Sequence, residues 1–117
     1  MSENVEAFMA EVFASTKSAV LEGFRKRGPI VMELIPQEQR VIIGGLVSIT
    51  KGERFASTTL DWLVTLARKH DVLLVGQIAR LGELGLTVKQ LTAWYRRHGF
   101  SVDREGFMYL KKAVDKA

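Results

Sequence analysis

The sequence predicts an α/β (α+β) domain with a mixed central sheet flanked by helices, in the order α-β-β-α-β-α-β-β. Three observations carry that prediction. Apolar residues recur at helical spacing in three separate stretches, short β-branched and apolar runs lie between them, and glycines or polar turns punctuate each change. With 117 residues, 47% hydrophobic and 26% charged, the chain suits one domain over 1–117 with a modest core.

Val5, Phe8, Met9, Val12, Phe13, Ala19, Val20 and Phe24 fall near helical spacing, with Glu3, Glu6 and Glu11 towards the start, where negative charge favours the helix dipole. One long N-terminal helix over 1–28 is expected. It should stop in Arg25-Lys26-Arg27-Gly28-Pro29, where cations suit a C-terminus, Gly28 can take a left-handed cap and Pro29 blocks continuation. The basic run then reads as a cap, not as a nucleic-acid contact.

Ile30 to Ile35 and Val41 to Ile49, separated by Pro36-Gln37-Glu38-Gln39-Arg40, read as an antiparallel hairpin. Gly44-Gly45 inside the second run suggests a bulge, or a close approach of another backbone or a ligand. A helix from about Ala56 to Lys69 places Leu60, Leu63, Val64 and Ala67 on one face, with Trp62 beside them. Val72 to Ile78 is almost purely apolar, as suits a strand buried on both faces, and Arg80 to Leu86 reads as loop. Thr87 can cap a helix running to about His98, Gly99 ends it, and Phe100 to Val102 and Phe107 to Leu110 make the last two strands.

Composition excludes several chemistries. There is no cysteine, so disulfides, thiolate zinc sites and cysteine nucleophiles are absent, and two histidines cannot make a histidine-rich metal site. No metal is expected. No apolar run approaches the roughly 20 residues that cross a bilayer, and the start, Met-Ser-Glu-Asn-Val-Glu, is acidic, so a cytoplasmic protein with no membrane partner is expected. The net charge of +4 suits anionic partners in general and ranks none of them.

At the centre of the chain, Leu46 to Leu60 reads as strand, glycine-containing turn and helix. A helix N-terminus offers unpaired N–H groups and partial positive charge, and a preceding loop that curls its amides inward makes an anion cradle. Near the end, Tyr95 lies in the last turns of a helix, where a phenol can serve as a proton donor. Beside Trp94 it can equally be a half-buried core aromatic. His98, just before the cap glycine, reads as a dipole partner. Phe107 and Tyr109 can pack or can flank a ligand, because alternate strand residues face opposite sides. Trp62 reads as core, and Arg96 and Arg97 as solvent-facing.

The turn and the C-terminal segment, in this order and at this separation, resemble the acetyl-coenzyme A binding core of the GNAT acetyltransferase superfamily. Lys51-Gly52-Glu53-Arg54-Phe55-Ala56 lies on the family's phosphate loop, Arg/Gln-x-x-Gly-x-Gly/Ala, and Ser57 follows as the family often has it. Trp94-Tyr95-Arg96-Arg97-His98-Gly99-Phe100 matches the end of the family's helix, and Gly106-Phe107-Met108-Tyr109-Leu110-Lys111 its closing strand. Leu86-Thr87-Val88-Lys89-Gln90-Leu91 resembles the lead into that helix in the compact forms common in phage genomes. The resemblance covers about residues 41–112. Two departures stand out: Arg54 replaces the loop's middle glycine, and Lys51 its first arginine.

The resemblance implies an N-acetyltransferase with acetyl-coenzyme A as co-substrate and an amine of a protein or small molecule as acceptor. It implies that a backbone N–H near Val47 to Ile49 polarises the thioester carbonyl and that the pyrophosphate lies at Gly52 to Ser57. The cofactor-binding residues would then be Val47, Ile49, Lys51, Gly52, Glu53, Arg54, Phe55, Ala56 and Ser57. Tyr95 would be the general acid that protonates the thiolate. For a base, Glu33, Glu38, His98 and an ordered water stay open. A short acceptor side leaves room for a homodimer that completes the cleft. Two other classes compete: a GNAT-like interaction module without catalysis, and a DNA-binding helix-turn-helix built from Thr87 to His98 and a helical Asp103 to Val114. Nucleic acid is the less favoured partner, because Phe107 to Leu110 are consecutive and large, as in a strand.

Overall fold

The computed structural model describes residues 1–18, 23–48, 54–78 and 86–110. Among them the chain runs α1 (Glu3–Ser15), β1 (Lys17–Ser18), β2 (Phe24–Arg27), β3 (Ile30–Pro36), β4 (Arg40–Ser48), α2 (Arg54–His70), β5 (Leu73–Gln77), α3 (Val88–Arg97), β6 (Phe100–Val102) and β7 (Phe107–Leu110). The strands form a seven-stranded mixed sheet in the order β1-β2-β3-β4-β5-β7-β6. The mixed sheet flanked by helices is therefore as expected.

The long N-terminal helix over 1–28 is not. Ser2 caps α1 by accepting from the Val5 amide at 3.2 Å, and Val5, Phe8, Met9 and Val12 are buried as their spacing requires. The helix stops at Ser15 because Thr16 takes an extended backbone, φ −135° and ψ 167°. Phe24–Arg27 then forms a strand instead of a helix end. Arg27 pairs with Ile30, so Gly28-Pro29 is a two-residue hairpin turn, and Gly28 supplies its positive φ of 57°. Alternation along β2 sends Arg25 and Arg27 towards the helices. Arg25 donates to the Thr16 hydroxyl at 2.8 Å and the Thr16 carbonyl at 2.8 Å and lies over the Phe13 ring, while Arg27 lies over Trp62. The basic run is thus structural, though as a strand rather than a cap.

The expected hairpin is present as β3 and β4, and its glycines mark a bulge. Leu34 pairs with Ile43 and Glu33 with Gly45, so Gly44 is the extra residue on β4. The insertion shifts the burial phase: Val41 and Ile43 are buried before it, Leu46 after it. On β3 the buried residues are Ile30, Met32 and Leu34, and these strand residues form one core with α1 and α2. Leu91, Trp94 and Tyr95 of α3 and Phe100, Met108 and Leu110 of β6 and β7 complete it. The core thus lies on one side of the sheet. Ile35, Val47, Leu73, Phe107 and Tyr109 alternate onto the other side and are exposed.

β4 and β5 run parallel through four pairs, from Arg40 with Leu73 to Ile43 with Gly76, and then part. Beyond that point β4 pairs with β3 and β5 with β7. Gly76 is required at the parting: a Cβ there would meet the Met108 methyl at 2.6 Å and the Ile43 carbonyl oxygen at 2.9 Å. The methyl can swing away; the carbonyl belongs to the neighbouring strand. Gly76→Ala should lower stability by about 1–3 kcal/mol. A urea-unfolding midpoint that falls with an unchanged slope would show it, and an unchanged midpoint would mean that the strands separate freely.

The C-terminal third follows its sequence signals closely. Thr87 and Gln90 form a reciprocal capping box, with the Thr87 hydroxyl accepting at 3.1 Å and the Gln90 side chain at 2.9 Å. Gly99 has φ 97°, as a left-handed stop to α3 needs. β6 and β7 have the expected bounds, and β7 pairs with both β5 and β6. Helical structure across Phe107 to Leu110 is thereby overturned, and with it the helix-turn-helix reading.

Candidate functional site

The start of α2 and the face of α3 meet. Ser57, in the first turns of α2, accepts a hydrogen bond at 2.8 Å from the Trp94 indole nitrogen. One turn further, Asp61 faces His98 Nδ1 at 2.6 Å. The Trp94 ring stands edge-on to Tyr95 at 4.8 Å and to His98 at 5.1 Å. Tyr95 is 2% exposed, and its ring also meets Phe100 edge-on at 5.5 Å. The aromatic character of the helix end therefore serves packing, whatever else the tyrosine does.

The residues singled out for a cofactor divide into three groups. Ile49, Lys51, Gly52 and Glu53 lie outside the described residues. Arg54 and Phe55 open α2 and are exposed, Phe55 at 53%. Ala56 is buried, and Ser57 is half-buried and tied to Trp94. Val47 lies beyond the parting of β4 and β5, 51% exposed and paired with Val31 on β3. Ser57 is thus brought next to the Tyr95 neighbourhood, whereas the Val47 side chain is on the sheet face away from it.

Two features suit an anionic, amide-bearing ligand. The first turn of α2 carries no acidic residue, so the partial positive charge of a 17-residue helix is not neutralised from within. From Gly44 to Val47 the edge of β4 that faced β5 has no strand partner among the described residues, a stretch of main chain along which another amide can be laid. Among the described residues no group of three or more His, Asp or Glu side chains is arranged to hold a metal, and no helix is long and apolar enough to cross a membrane.

The candidate bases occupy different surroundings. His98 faces Asp61, at the join of α2 and α3. Glu38 is in the turn between β3 and β4, 3.7 Å from the terminal ammonium of Met1. Glu33 is on β3 opposite the bulge, its carboxyl against Gly44: a Cβ at Gly44 would fall 2.2 Å from Glu33 Oε1. Among the described residues the only carboxyl with a resolved shift is elsewhere: the hydrogen bond from Lys69 holds Glu11 below its ordinary 4.5, helped by His70, which ties α1 to the end of α2. Sequence reading missed the Ser57–Trp94 and Asp61–His98 contacts, for which separation by 37 positions leaves no local signal.

No protein-family model matches the chain, and no curated protein matches it in sequence. Its fold is similar to that in the crystal structure of the anti-CRISPR protein AcrVA5, with a TM-score of 0.56 at 18% identity over 83% of this chain and 99% of that one. The likeness supports a GNAT-like fold for the chain.

Proposed function

We propose that this protein is an acetyl-coenzyme A-dependent N-acetyltransferase acting on an amine of a protein or small molecule in the cytoplasm. The observation that carries the reading is the parallel pair β4–β5, whose pairing ends at Ile43 and Gly76, together with the helix α2 that follows β4, whose first turn from Arg54 holds no acidic residue. In this reading the edge of β4 from Gly44 to Val47 receives the pantetheine amides, and a main-chain N–H near Val47 to Ile49 polarises the thioester carbonyl. Lys51, Gly52, Glu53, Arg54, Phe55, Ala56 and Ser57 surround the pyrophosphate, with Arg54 supplying a guanidinium where the family has glycine. Tyr95 protonates the departing thiolate.

A second reading has specific support. Tyr95 is buried among Trp94 and Phe100, and Arg54 fills a position that the family leaves without a side chain. Both suit a GNAT-like interaction module that has lost catalysis, alone or as a homodimer. Calorimetric titration with acetyl-coenzyme A separates the two. The acetyltransferase reading expects saturable binding within about 1 μM to 1 mM, the usual range for an enzyme's substrate, and competition by free coenzyme A. A folded protein that gives no binding leaves the module.

A further inference from the structure

The core and its helices lie on one face of the sheet, and the opposite face is bare among the described residues. Register divides that bare face into two regions. Ile35, Ile42, Val75 and Tyr109 stand in one row across β3, β4, β5 and β7, with Leu73 and Phe107 two positions away on β5 and β7. Ile35, Leu73, Phe107 and Tyr109 are each 40–49% exposed. The strip is on the order of 500 Å², the size at which an exposed apolar patch marks a contact site. The second region is the row in which Lys17 of β1 is opposite Lys26 of β2, followed by Val31 of β3 and Val47 of β4. Both lysines are exposed, and among the described residues neither has an ion-pair partner. Like charges directly opposite on neighbouring strands repel each other. Arg25 and Arg27, which alternate with Lys26, are held by Thr16 and Trp62 on the other face, so the lysines are the cations of this edge without a structural task. With Arg40, opposite Leu73, the strands of the bare face carry three cations against one carboxylate, Glu33.

We propose that this face is a docking surface for an acidic polypeptide segment, its carboxylates at Lys17 and Lys26 and its apolar side chains on the strip that ends at Tyr109. Docking there does not depend on acetyl transfer. The sign of the charge selects the occupant. A second copy related by a two-fold axis would set the same cations against one another, and the strip falls short of the roughly 800 Å² per partner of a standard interface. Lys111 to Ala117 carries three lysines against one aspartate, the wrong sign for this face. A nucleic acid would have to lay phosphates past Glu33, which stands between the two regions with its carboxyl over Gly44. A polypeptide can place a neutral residue there. Four strand spacings separate β2 from β7 and four residues separate Val31 from Ile35, so Lys26 and Tyr109 are roughly 23 Å apart, about seven extended residues. A segment of that length, with glutamate or aspartate at one end and a large apolar side chain at the other, fits both regions.

The test follows the fluorescence anisotropy of fluorescein-labelled poly(Glu,Tyr), a random copolymer, on titration with the protein in the absence of acetyl-coenzyme A. Poly-L-glutamate, poly(U) and vesicles of phosphatidylserine and phosphatidylcholine are the comparison probes. The copolymer should bind about tenfold more tightly than poly-L-glutamate, because only the copolymer offers rings to the strip. Lys26→Glu should weaken copolymer binding by about tenfold or more through like-charge contact. Lys89→Glu, the same change of net charge on α3, should leave it within about twofold at physiological salt, where distant exposed charges are screened. Phe107→Thr with Tyr109→Thr, which keeps β-branched residues in the strand, should reduce the copolymer to the affinity of poly-L-glutamate. Circular dichroism checks the fold of each variant, and the exposed Lys26 position keeps the test available if the double variant does not fold. Equal losses in Lys26→Glu and Lys89→Glu would reduce the effect to net charge and overturn the site. Poly(U) or vesicles bound as tightly as the copolymer would overturn the polypeptide, as would a folded wild type that gives no saturable copolymer binding. A wild-type dimer in sedimentation that Tyr109→Thr dissociates would assign the face to a second copy instead. Each of these outcomes is separate from acetyl-coenzyme A binding, so the docking surface can fail while the acetyltransferase reading stands, and the reverse.

Discussion

Trp94→Ala should destabilise the protein by about 3–5 kcal/mol, the range for deleting a buried tryptophan or phenylalanine from a core. The side chain is fully buried and touches Tyr95 on its own helix and His98 just beyond the helix end. It also carries a hydrogen bond from α3 to Ser57 of α2. Alanine removes all of this and leaves a cavity that two anchored helices cannot close. Trp94→Phe separates the contributions, since it keeps most of the packing and loses the hydrogen bond, and should cost about 1–2 kcal/mol. Urea unfolding followed by circular dichroism gives both values. A loss below about 1 kcal/mol in Trp94→Ala would mean that α3 is held mainly by its contact with β6 rather than by α2.

Tyr95→Phe is expected to lower acetyl transfer by about 10²- to 10⁴-fold, the usual contribution of a positioned acid. Stability should fall by no more than about 1–3 kcal/mol, the range for losing a buried hydroxyl's interactions, because the ring, with its edge contacts to Trp94 and Phe100, is retained. The affinity for acetyl-coenzyme A should be unchanged, so the loss appears in kcat. Equal turnover in the two proteins would assign Tyr95 to the core alone. Its 2% exposure makes the comparison informative, since only the hydroxyl differs and the buried ring stays in place.

The sequence made the C-terminal third legible because its signals are local. A capping box, a glycine with positive φ and two short aromatic-rich strands each depend on residues within a few positions of one another. The N-terminal region misled for the converse reason. Phe24 falls near the helical spacing of Val5 to Val12, and Arg25-Lys26-Arg27 before Gly28-Pro29 has the composition of a helix C-terminus. What decides for a strand is tertiary: partners for Arg25 at Thr16 and for Arg27 at Trp62, and a hairpin register against β3. The candidate site divides in the same way. Gly44-Gly45 announced a bulge, but nothing in the order of residues announced that the Glu33 carboxyl would be laid across it.

The parallel contact between β4 and β5 has a mechanical consequence. β1 to β4 form a meander in which neighbours in space are neighbours in the chain, while β5, β7 and β6 make a second antiparallel leaf. Four residue pairs, joining positions roughly 30 apart, rivet the leaves together. Short loops favour early closure of the β3–β4 and β6–β7 hairpins, whereas β5 reaches both β4 and β7 across roughly 30 residues and is expected to join late. The completed molecule resembles a book held by a short spine and open at one end. A ligand lodged between the pages acts as a splint, and by mass action it tightens the whole binding.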